Sequence, residues 1–217
     1  MKNYTFWSLL LLLIIVNQSF AQLIPDDPNR DRIPRYLRER ASSMVDNHNA
    51  TSAVVTVDNW DNFSLGVDLA EGNIAEHPAN PTWYFAAYNV NETHHTENGI
   101  DWVKNNPNFG ATMQGDPVQA YDSLGNLYYE NMYGTSSIVG CKVVKSTNNG
   151  ATWGPSVTAI AGVDKNWLAC DQTAGPYANY VYSVMTKNGG GNFSRSMDQG
   201  ATWTNTFAPT TQTLPGM

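Results

Sequence analysis

The stretch SMDQGATW (residues 196–203) decides the fold, because a nearly identical stretch, STNNGATW, occupies residues 146–153. The two copies lie about 50 residues apart, and we call this eight-residue pattern the box. Self-similarity at a fixed period of about 20–50 residues indicates an architecture in which one supersecondary unit is repeated. The sequence therefore predicts a chain of repeated units, each containing one box.

A third and degenerate copy of the box is predicted further upstream, in the stretch HHTENGIDW. Aligned on the glycine, Glu97, Gly99 and Trp102 take the acid, glycine and tryptophan positions. His95 then replaces the serine and Asp101 replaces the threonine. This alignment predicts three units in all.

A similar run of residues precedes each box, at 73–89, 116–133 and 166–186. Each run reads as a short apolar strand, a turn rich in Gly, Pro and Asn, and a strand rich in aromatic residues. A third strand leads into the box, as at 138–146, and a fourth leaves it. Four short strands in each unit of about 50 residues are typical of a β-propeller. The predicted fold is an all-β propeller with about three four-stranded blades.

The composition of the box suits a tight hairpin between the third and fourth strands. Glycine supplies the positive φ that other residues resist, and Asp or Asn folds its side chain back onto backbone N–H groups. The tryptophan buries a large apolar surface and fixes the turn against its blade. We therefore interpret the following residues as fold determinants rather than catalytic groups: Asn148, Gly150, Trp153, Asp198, Gly200 and Trp203.

The first residues have the pattern of a secretory signal peptide. An apolar run at 6–16 leads to a small-x-small site that ends at Ala21, and the run is too short to span a bilayer. The predicted organisation is a signal peptide at 1–21, a linker at 22–50 and a partial propeller at 51–217. The protein is therefore expected to be secreted, and no membrane-spanning segment is expected in the mature chain.

Charge and cysteine content limit the partners and the chemistry. The chain has 12 Lys and Arg against 19 Asp and Glu, a formal net charge of -7, which disfavours nucleic acid as a partner. Two cysteines, Cys141 and Cys170, enter an oxidising compartment. Their separation permits a disulfide bond, and two buried free thiols are the alternative.

The pattern Ser-x-Asp-x-Gly-x-Thr-Trp is the Asp box, or BNR repeat. SMDQGATW matches it at every defined position, and STNNGATW differs only by Asn in place of Asp. Over about residues 66–217 the chain resembles secreted bacterial sialidase-like proteins of the BNR-repeat class. The resemblance implies a sialidase-type propeller that acts on or binds extracellular glycans, as the N-terminal part of a longer glycoside hydrolase-like protein. The alternative is a non-catalytic scaffold for adhesion or protein binding.

The catalytic set that this resemblance implies is not found in the chain. Sialidases of this type have three arginines that bind the substrate carboxylate, a tyrosine nucleophile with a glutamate, and an aspartate acid/base. Arg-Ile-Pro at 32–34 is similar to the family's first arginine motif, but the spacing of Ile33, Leu37 and Ala41 favours a short amphipathic helix. Arg195 directly precedes a box, so it is expected on the hairpin side of its blade. We identify no catalytic residue.

The sequence also gives little support for a metal site or a cofactor site. His94 and His95 read as part of a polar, solvated loop and have no spaced partner for a zinc site. The stretch DNWDN at 58–62 lacks the calcium-loop pattern. We therefore expect no metal and no cofactor.

The number of units raises a question of closure, since propellers have about four to eight blades. Three units would leave apolar faces uncovered on the first and last blades. Either the chain is part of a longer protein or several copies associate, and the sequence alone favours the former.

Overall fold

The structure is a computed structural model that describes the backbone of residues 54–57, 60–63, 71–187 and 190–207. All of these residues belong to the second of two compact units, residues 41–217. The predicted signal peptide, the linker and the Arg-Ile-Pro stretch all lie outside the described residues, as does part of the DNWDN stretch.

The described residues form strands and no helix. The strands are β1 (Val54–Val57), β2 (Trp60–Phe63), β3 (Asn73–Glu76), β4 (Tyr84–Tyr88), β5 (Glu92–Thr96), β6 (Val103–Lys104), β7 (Met113–Tyr121), β8 (Leu127–Tyr133), β9 (Gly140–Ser146), β10 (Val157–Ala161), β11 (Asp164–Cys170), β12 (Val181–Lys187), β13 (Gly190–Ser196) and β14 (Thr204–Phe207).

Twelve of these strands form three four-stranded antiparallel sheets. Sheet I contains β3–β6, sheet II contains β7–β10 and sheet III contains β11–β14, each with its strands in chain order. Strands β1 and β2 form a separate antiparallel pair. The first strand of sheet II, β7, packs against the first strands of the two other sheets. The predicted all-β, propeller-type fold with three four-stranded blades is therefore confirmed.

The core consists of side chains packed between neighbouring sheets. Phe85 from sheet I packs with Tyr129, Val144 and Trp153 from sheet II. The second interface repeats this arrangement with Tyr128 and Val143 of sheet II against Leu168, Val181 and Trp203 of sheet III. Because each sheet covers one face of its neighbour, only the middle sheet has both faces packed against other sheets in the described part of the chain.

The box turns of sheets II and III are stabilised by the hydrogen bonds that the sequence predicts. The Ser146 hydroxyl accepts a hydrogen bond from Gly150 N at 2.8 Å, and Asn148 Oδ1 accepts one from Thr152 N at 2.8 Å. In sheet III, Ser196 and Asp198 accept the corresponding bonds at the same two distances. Both glycines have a φ of +84°.

The predicted alignment of the sheet I box is wrong by one residue. Thr96, rather than His95, takes the serine position, because its hydroxyl accepts a hydrogen bond from Gly99 N at 3.0 Å. Asn98, rather than Glu97, takes the acid position and accepts a hydrogen bond from Asp101 N at 2.8 Å. The turn is one residue shorter than the other two.

Strand register explains this error. Thr96 pairs with Tyr84, just as the box serines of sheets II and III pair with the first residues of β8 and β12. In those two sheets a further residue with positive φ, Asn149 or Gln199, precedes the glycine. Sheet I has no counterpart of this residue, so counting back from Gly99 gives the wrong position.

The histidine pair is also placed differently from the prediction. His94 and His95 lie within β5, where they pair with Ala86 and Phe85, and both side chains are buried. Burial lowers the pKa of His95. The prediction of a solvated loop is therefore wrong, because sheet packing overrides the polar character of the local sequence.

Both cysteines are free thiols. Cys141 lies near the start of β9, where its sulfur contacts the Met185 sulfur at 3.5 Å. Cys170 ends β11 and packs in the cluster around Tyr128. Burial raises the pKa of both thiols. Of the two alternatives left open by the sequence, the structure selects free thiols.

Candidate functional site

A cavity of about 130 Å³ lies where the first strands of the three sheets begin. Antiparallel pairing places this end of each sheet opposite the box turn, so we call it the pocket end and the other the box end. Nine residues, three from each sheet, line the cavity: Glu71, Gly72, Asn73, Asp116, Pro117, Val118, Lys165, Asn166 and Trp167. The cavity therefore contains acidic, basic, amide and aromatic groups in one small space.

Three charged residues occupy equivalent positions in the three sheets. Glu71, Asp116 and Lys165 each lie two residues before a strand residue that pairs with the second strand of the same sheet. All three have a left-handed backbone, with φ of 58°, 49° and 37°. Such a conformation costs about 1–3 kcal/mol for a residue other than glycine and occurs preferentially at functional sites.

Bulges accompany this backbone in two of the sheets. The pairing register shifts between Gly115 and Val118 in sheet II, and between Asp164 and Asn166 in sheet III. A bulge redirects the side chains next to it, and bulges are frequent beside binding sites. The strand starts are thus shaped to direct charged side chains toward one another.

The three charged groups form one network. Lys165 Nζ lies 2.9 Å from Asp116 Oδ2 and 3.7 Å from Glu71 Oε1. Asn89 joins the two acids, because its side-chain amide donates to Glu71 and its Oδ1 accepts a hydrogen bond from Asp116 N at 2.7 Å. Lys165 and Asn89 therefore connect the two acids.

The pKa values of the two acids shift in opposite directions. Interaction with the Asp116 carboxyl group and the hydrogen bond from Asn89 lower the pKa of Glu71. Burial raises the pKa of Asp116, against the opposing effect of Lys165. The hydrogen bond to Asp116 raises the pKa of Lys165.

A third carboxyl group lies directly behind the cavity wall. Glu130 is completely buried on β8, and its Oε1 accepts a hydrogen bond from Nδ2 of Asn166, which lines the cavity, at 2.8 Å. Burial raises the pKa of Glu130 to about 7, although Ser183 and Asn166 act in the opposite direction. Glu130 therefore holds the amide of Asn166 in a fixed orientation.

Sequence reasoning did not single out Glu130. Glu130 pairs with the residue that lies two positions after the charged residue of the first strand in its sheet. The residues with the same pairing in sheets I and III are Ala87 and Val184, and both are apolar. The sequence does contain a signal for this residue. When the second strands of the three units are aligned, this position has one acid and two apolar residues. Such a local conflict is expected at a functional site.

Trp167 provides the aromatic surface of the site. Its side chain is 46% exposed at the sheet III side of the cavity. The equivalent residue of sheet II, Val118, is only 5% exposed. An exposed tryptophan beside fixed polar groups is suited to stack against an apolar ring face.

The residues that the sequence singled out lie mostly away from this cavity. Arg195 lies near the end of β13, at the box end, with its guanidinium 6.0 Å from the centre of the Tyr180 ring. The box residues form turns, as interpreted from the sequence. Within the described residues, no group of three or more His, Cys, Asp or Glu is arranged to hold a metal ion. No helix among those residues is long and apolar enough to cross a membrane.

No protein-family model matches the chain, and no curated protein matches it. Solved structures give weak similarities. A mutant of the sialidase NanB from Streptococcus pneumoniae has 14% identity over 56% of this chain and 20% of its own, with a TM-score of 0.42. A protein of unknown function from Dyadobacter fermentans has 10% identity over 63% of this chain and 53% of its own, with a TM-score of 0.44.

A third similarity is to an α-L-arabinanase from Penicillium chrysogenum in complex with arabinobiose. It has 14% identity over 71% of this chain and 54% of its own, with a TM-score of 0.42. The chain thus spans about half of the length of two of these structures and a fifth of the third. The fold assignment rests on the three sheets themselves rather than on these similarities.

Proposed function

We propose that the protein is an exported, propeller-type glycan-binding protein that holds one sugar unit in the cavity at the pocket end. The observation that supports this is the combination, around one small cavity, of a half-exposed tryptophan with fixed carboxyl and amide groups. A tryptophan ring stacks against the apolar face of a sugar. Acidic and amide side chains supply the acceptors and donors that sugar hydroxyls require.

The size and charge of the cavity limit the kinds of ligand that it can bind. At about 130 Å³ it is well below the roughly 300 Å³ at which pockets for drug-sized ligands begin, so it accommodates a single ring at a chain end. Two carboxyl groups face one ammonium group, and the whole chain carries a formal charge of -7. A sialic acid carboxylate would be repelled here, so neutral or amino sugars are the favoured ligands.

The carboxyl geometry supports binding rather than hydrolysis. Lys165 Nζ lies 3.7 Å from the Glu71 carboxyl group and 2.9 Å from that of Asp116, so it occupies the space between the two groups, where glycoside hydrolases place the scissile bond. The described residues that line the cavity include neither an arginine nor a tyrosine, which a sialidase-type mechanism would require. Hydrolysis by a longer protein containing this chain is the second candidate, on the strength of the Asp-box resemblance alone.

A glycan array followed by titration calorimetry tests the proposal. We expect binding to neutral or amino sugar termini. Trp167→Ala should weaken binding about tenfold through loss of stacking, and Asp116→Asn should also weaken it. Met197→Ala, at an exposed position of the box end, is the matched control and should bind normally.

Two results would contradict the proposal. If no glycan binds, or if both pocket variants bind as tightly as the wild type, the cavity is not the site. Turnover of a fluorogenic sialoside by this chain would instead support the hydrolase candidate.

A further inference from the structure

A fully buried carboxyl group lies between sheets II and III. Side chains alternate between the two faces of a strand, so Glu130 lies on the same face of β8 as Tyr128 and Met132. Both of these residues pack in the apolar clusters between sheets II and III. The residues that pair with Glu130 on the neighbouring strands are Val118 and Val143. The carboxyl group of Glu130 is therefore placed in an apolar layer.

No positive charge in the described part of the chain compensates this carboxyl group. None of the ion pairs between described residues involves Glu130, and the ammonium group of Lys165 is bound to Asp116 at 2.9 Å. An isolated ionised carboxylate is costly to bury, so such a group takes up a proton instead. Burial accordingly raises the pKa of Glu130 to about 7. Glu130 therefore exchanges its proton close to neutral pH.

The hydrogen bonds around Glu130 are incomplete without this proton. Asn166 Nδ2 donates a hydrogen bond to Glu130 Oε1 at 2.8 Å. The second oxygen of the acid, Glu130 Oε2, and the amide oxygen Asn166 Oδ1 are both buried, and neither has a hydrogen-bond partner among the described residues. Two acceptors cannot satisfy each other, whereas a protonated carboxyl group donates one hydrogen bond and accepts another. A single proton on Oε2 would thus supply the donor that the amide oxygen lacks.

The other groups around Glu130 do not exchange a proton in its place. Burial, followed by the charge of Glu130, raises the pKa of the Cys141 thiol on β9, so this thiol stays neutral. Asp116 and Lys165, at the starts of β7 and β11, form an ion pair with each other. Against the larger effect of burial, the Ser183 hydroxyl on β12 lowers the pKa of Glu130, but it does not itself ionise. The residues of β10 in these clusters are apolar.

We propose that Glu130 is a positioning residue of the cavity, whose protonated carboxyl group forms two hydrogen bonds with the Asn166 side chain and so holds the cavity wall in its sugar-binding arrangement. This inference rests on the proposed function, because Asn166 lies between Lys165 and Trp167 in the cavity wall. Loss of the proton to solvent places two oxygen acceptors, Glu130 Oε2 and Asn166 Oδ1, against each other. The amide then turns away and disturbs the strand segment that carries Trp167, so sugar binding requires the proton on Glu130.

Sugar binding measured by titration calorimetry between pH 6 and pH 8 tests this role. The probes are the methyl glycosides of glucose, galactose and N-acetylglucosamine, because none of them carries an ionisable group. With a pKa of about 7, the protonated fraction of Glu130 falls about tenfold over this range, so the affinity of the wild type should fall about tenfold.

Glu130→Gln is the decisive variant, because an amide keeps the shape of the side chain and can both donate to and accept from Asn166 without titrating. Its affinity should be nearly constant between pH 6 and pH 8 and close to that of the wild type at pH 6. Glu97→Gln removes an exposed carboxyl group from the box turn of sheet I and is the matched control. This control should keep the pH dependence of the wild type.

Two measurements on the wild type need neither a sugar nor a folded variant. The infrared carbonyl band of a protonated carboxyl group should be present at pH 6 and disappear with a midpoint near pH 7, since exposed acids are already ionised in this range. The NMR signal of the Asn166 side-chain amide should shift with the same midpoint. In Glu130→Gln both changes should be absent.

The outcomes separate this inference from the proposed function. If the glycosides bind with an affinity that does not change between pH 6 and pH 8, the role of Glu130 is overturned and the sugar site stands. If no glycoside binds at any pH, the sugar site fails, and the infrared and NMR titrations decide whether Glu130 holds Asn166 through its proton. A wild type without the carbonyl band at pH 6, or with an Asn166 signal that does not titrate, would overturn the inference.

Discussion

The two ends of the same three sheets follow different rules. At the box end, backbone and side chains both repeat: a hydroxyl and an acid or amide side chain accept hydrogen bonds from the turn in every sheet. At the pocket end only the backbone repeats, because the three left-handed strand starts carry a glutamate, an aspartate and a lysine. Turn geometry therefore determines the side chains at the box end. At the pocket end it fixes only the backbone, so the side chains can differ and can contact a ligand.

The largest expected effect is at the box end. Gly150→Ala should destabilise the protein by about 4 kcal/mol, because a φ of +84° and a close approach to Phe85 add together. Gly110→Ala is the matched control: its φ of +64° is also positive, but nothing lies within 4 Å, so about 1 kcal/mol is expected. Denaturant unfolding measures both. Equal costs would show that the box glycine is required for its φ alone.

The second-largest expected effect is a pH dependence of stability that arises at the pocket end. The pKa of Glu130 is raised to about 7 in the folded protein, so its contribution to stability is complete below its unfolded pKa of about 4.5. That contribution is lost as the pH rises through about 7. We expect a loss of about 3 kcal/mol over this range in the wild type.

Glu130→Gln should remove this dependence, so its stability relative to the wild type should improve between pH 5 and pH 8. Urea unfolding at several pH values gives the difference between the two proteins. Glu97→Gln, at an exposed position, serves as the control. A difference between Glu130→Gln and wild type that is constant with pH would mean that the carboxyl group is ionised throughout and has no special role.

The smallest expected effect is a difference in acid stability between the box turns of sheets II and III, which have Asn and Asp at the same position. Hydrogen bonds from Thr202 lower the pKa of Asp198, so this group stabilises the fold above its unfolded pKa of about 4. The stabilisation is lost as the pH falls through the lower folded value. Asp198→Asn should therefore lose a small part of the acid dependence of unfolding, with little change at pH 7.

Asn148→Asp is the reciprocal substitution and should introduce such a dependence in sheet II. Acid unfolding followed by tryptophan fluorescence compares the two variants. If neither substitution changes the acid transition, the box carboxylate acts only as a hydrogen-bond acceptor that an amide replaces fully.

Local chemistry explains which features could be predicted from sequence. The turns are encoded where they occur: Asp122, for example, accepts hydrogen bonds from Leu124 N and Asn126 N within its own turn. The strands, the four-strand period and the box glycines follow from similarly short-range patterns. This is why the fold class and the role of the box were predictable without coordinates.

The pocket depends on packing between sheets, which no local pattern encodes. Glu71, Asp116 and Lys165 lie in three separate repeats and share no residue type, so their equivalence is visible only in the strand register. Glu130 reads as an ordinary polar residue of a strand until Asn166 of the next sheet is placed against it. The histidines of β5 were misjudged for the same reason.

The shortened turn of sheet I has a practical consequence for recognising related repeats. A seven-residue version, from Thr96 to Trp102, retains the hydroxyl, the amide, the glycine and the tryptophan. A search with a fixed eight-letter string passes over such copies and undercounts the blades in proteins of this type. A profile that allows one gap before the glycine would detect them.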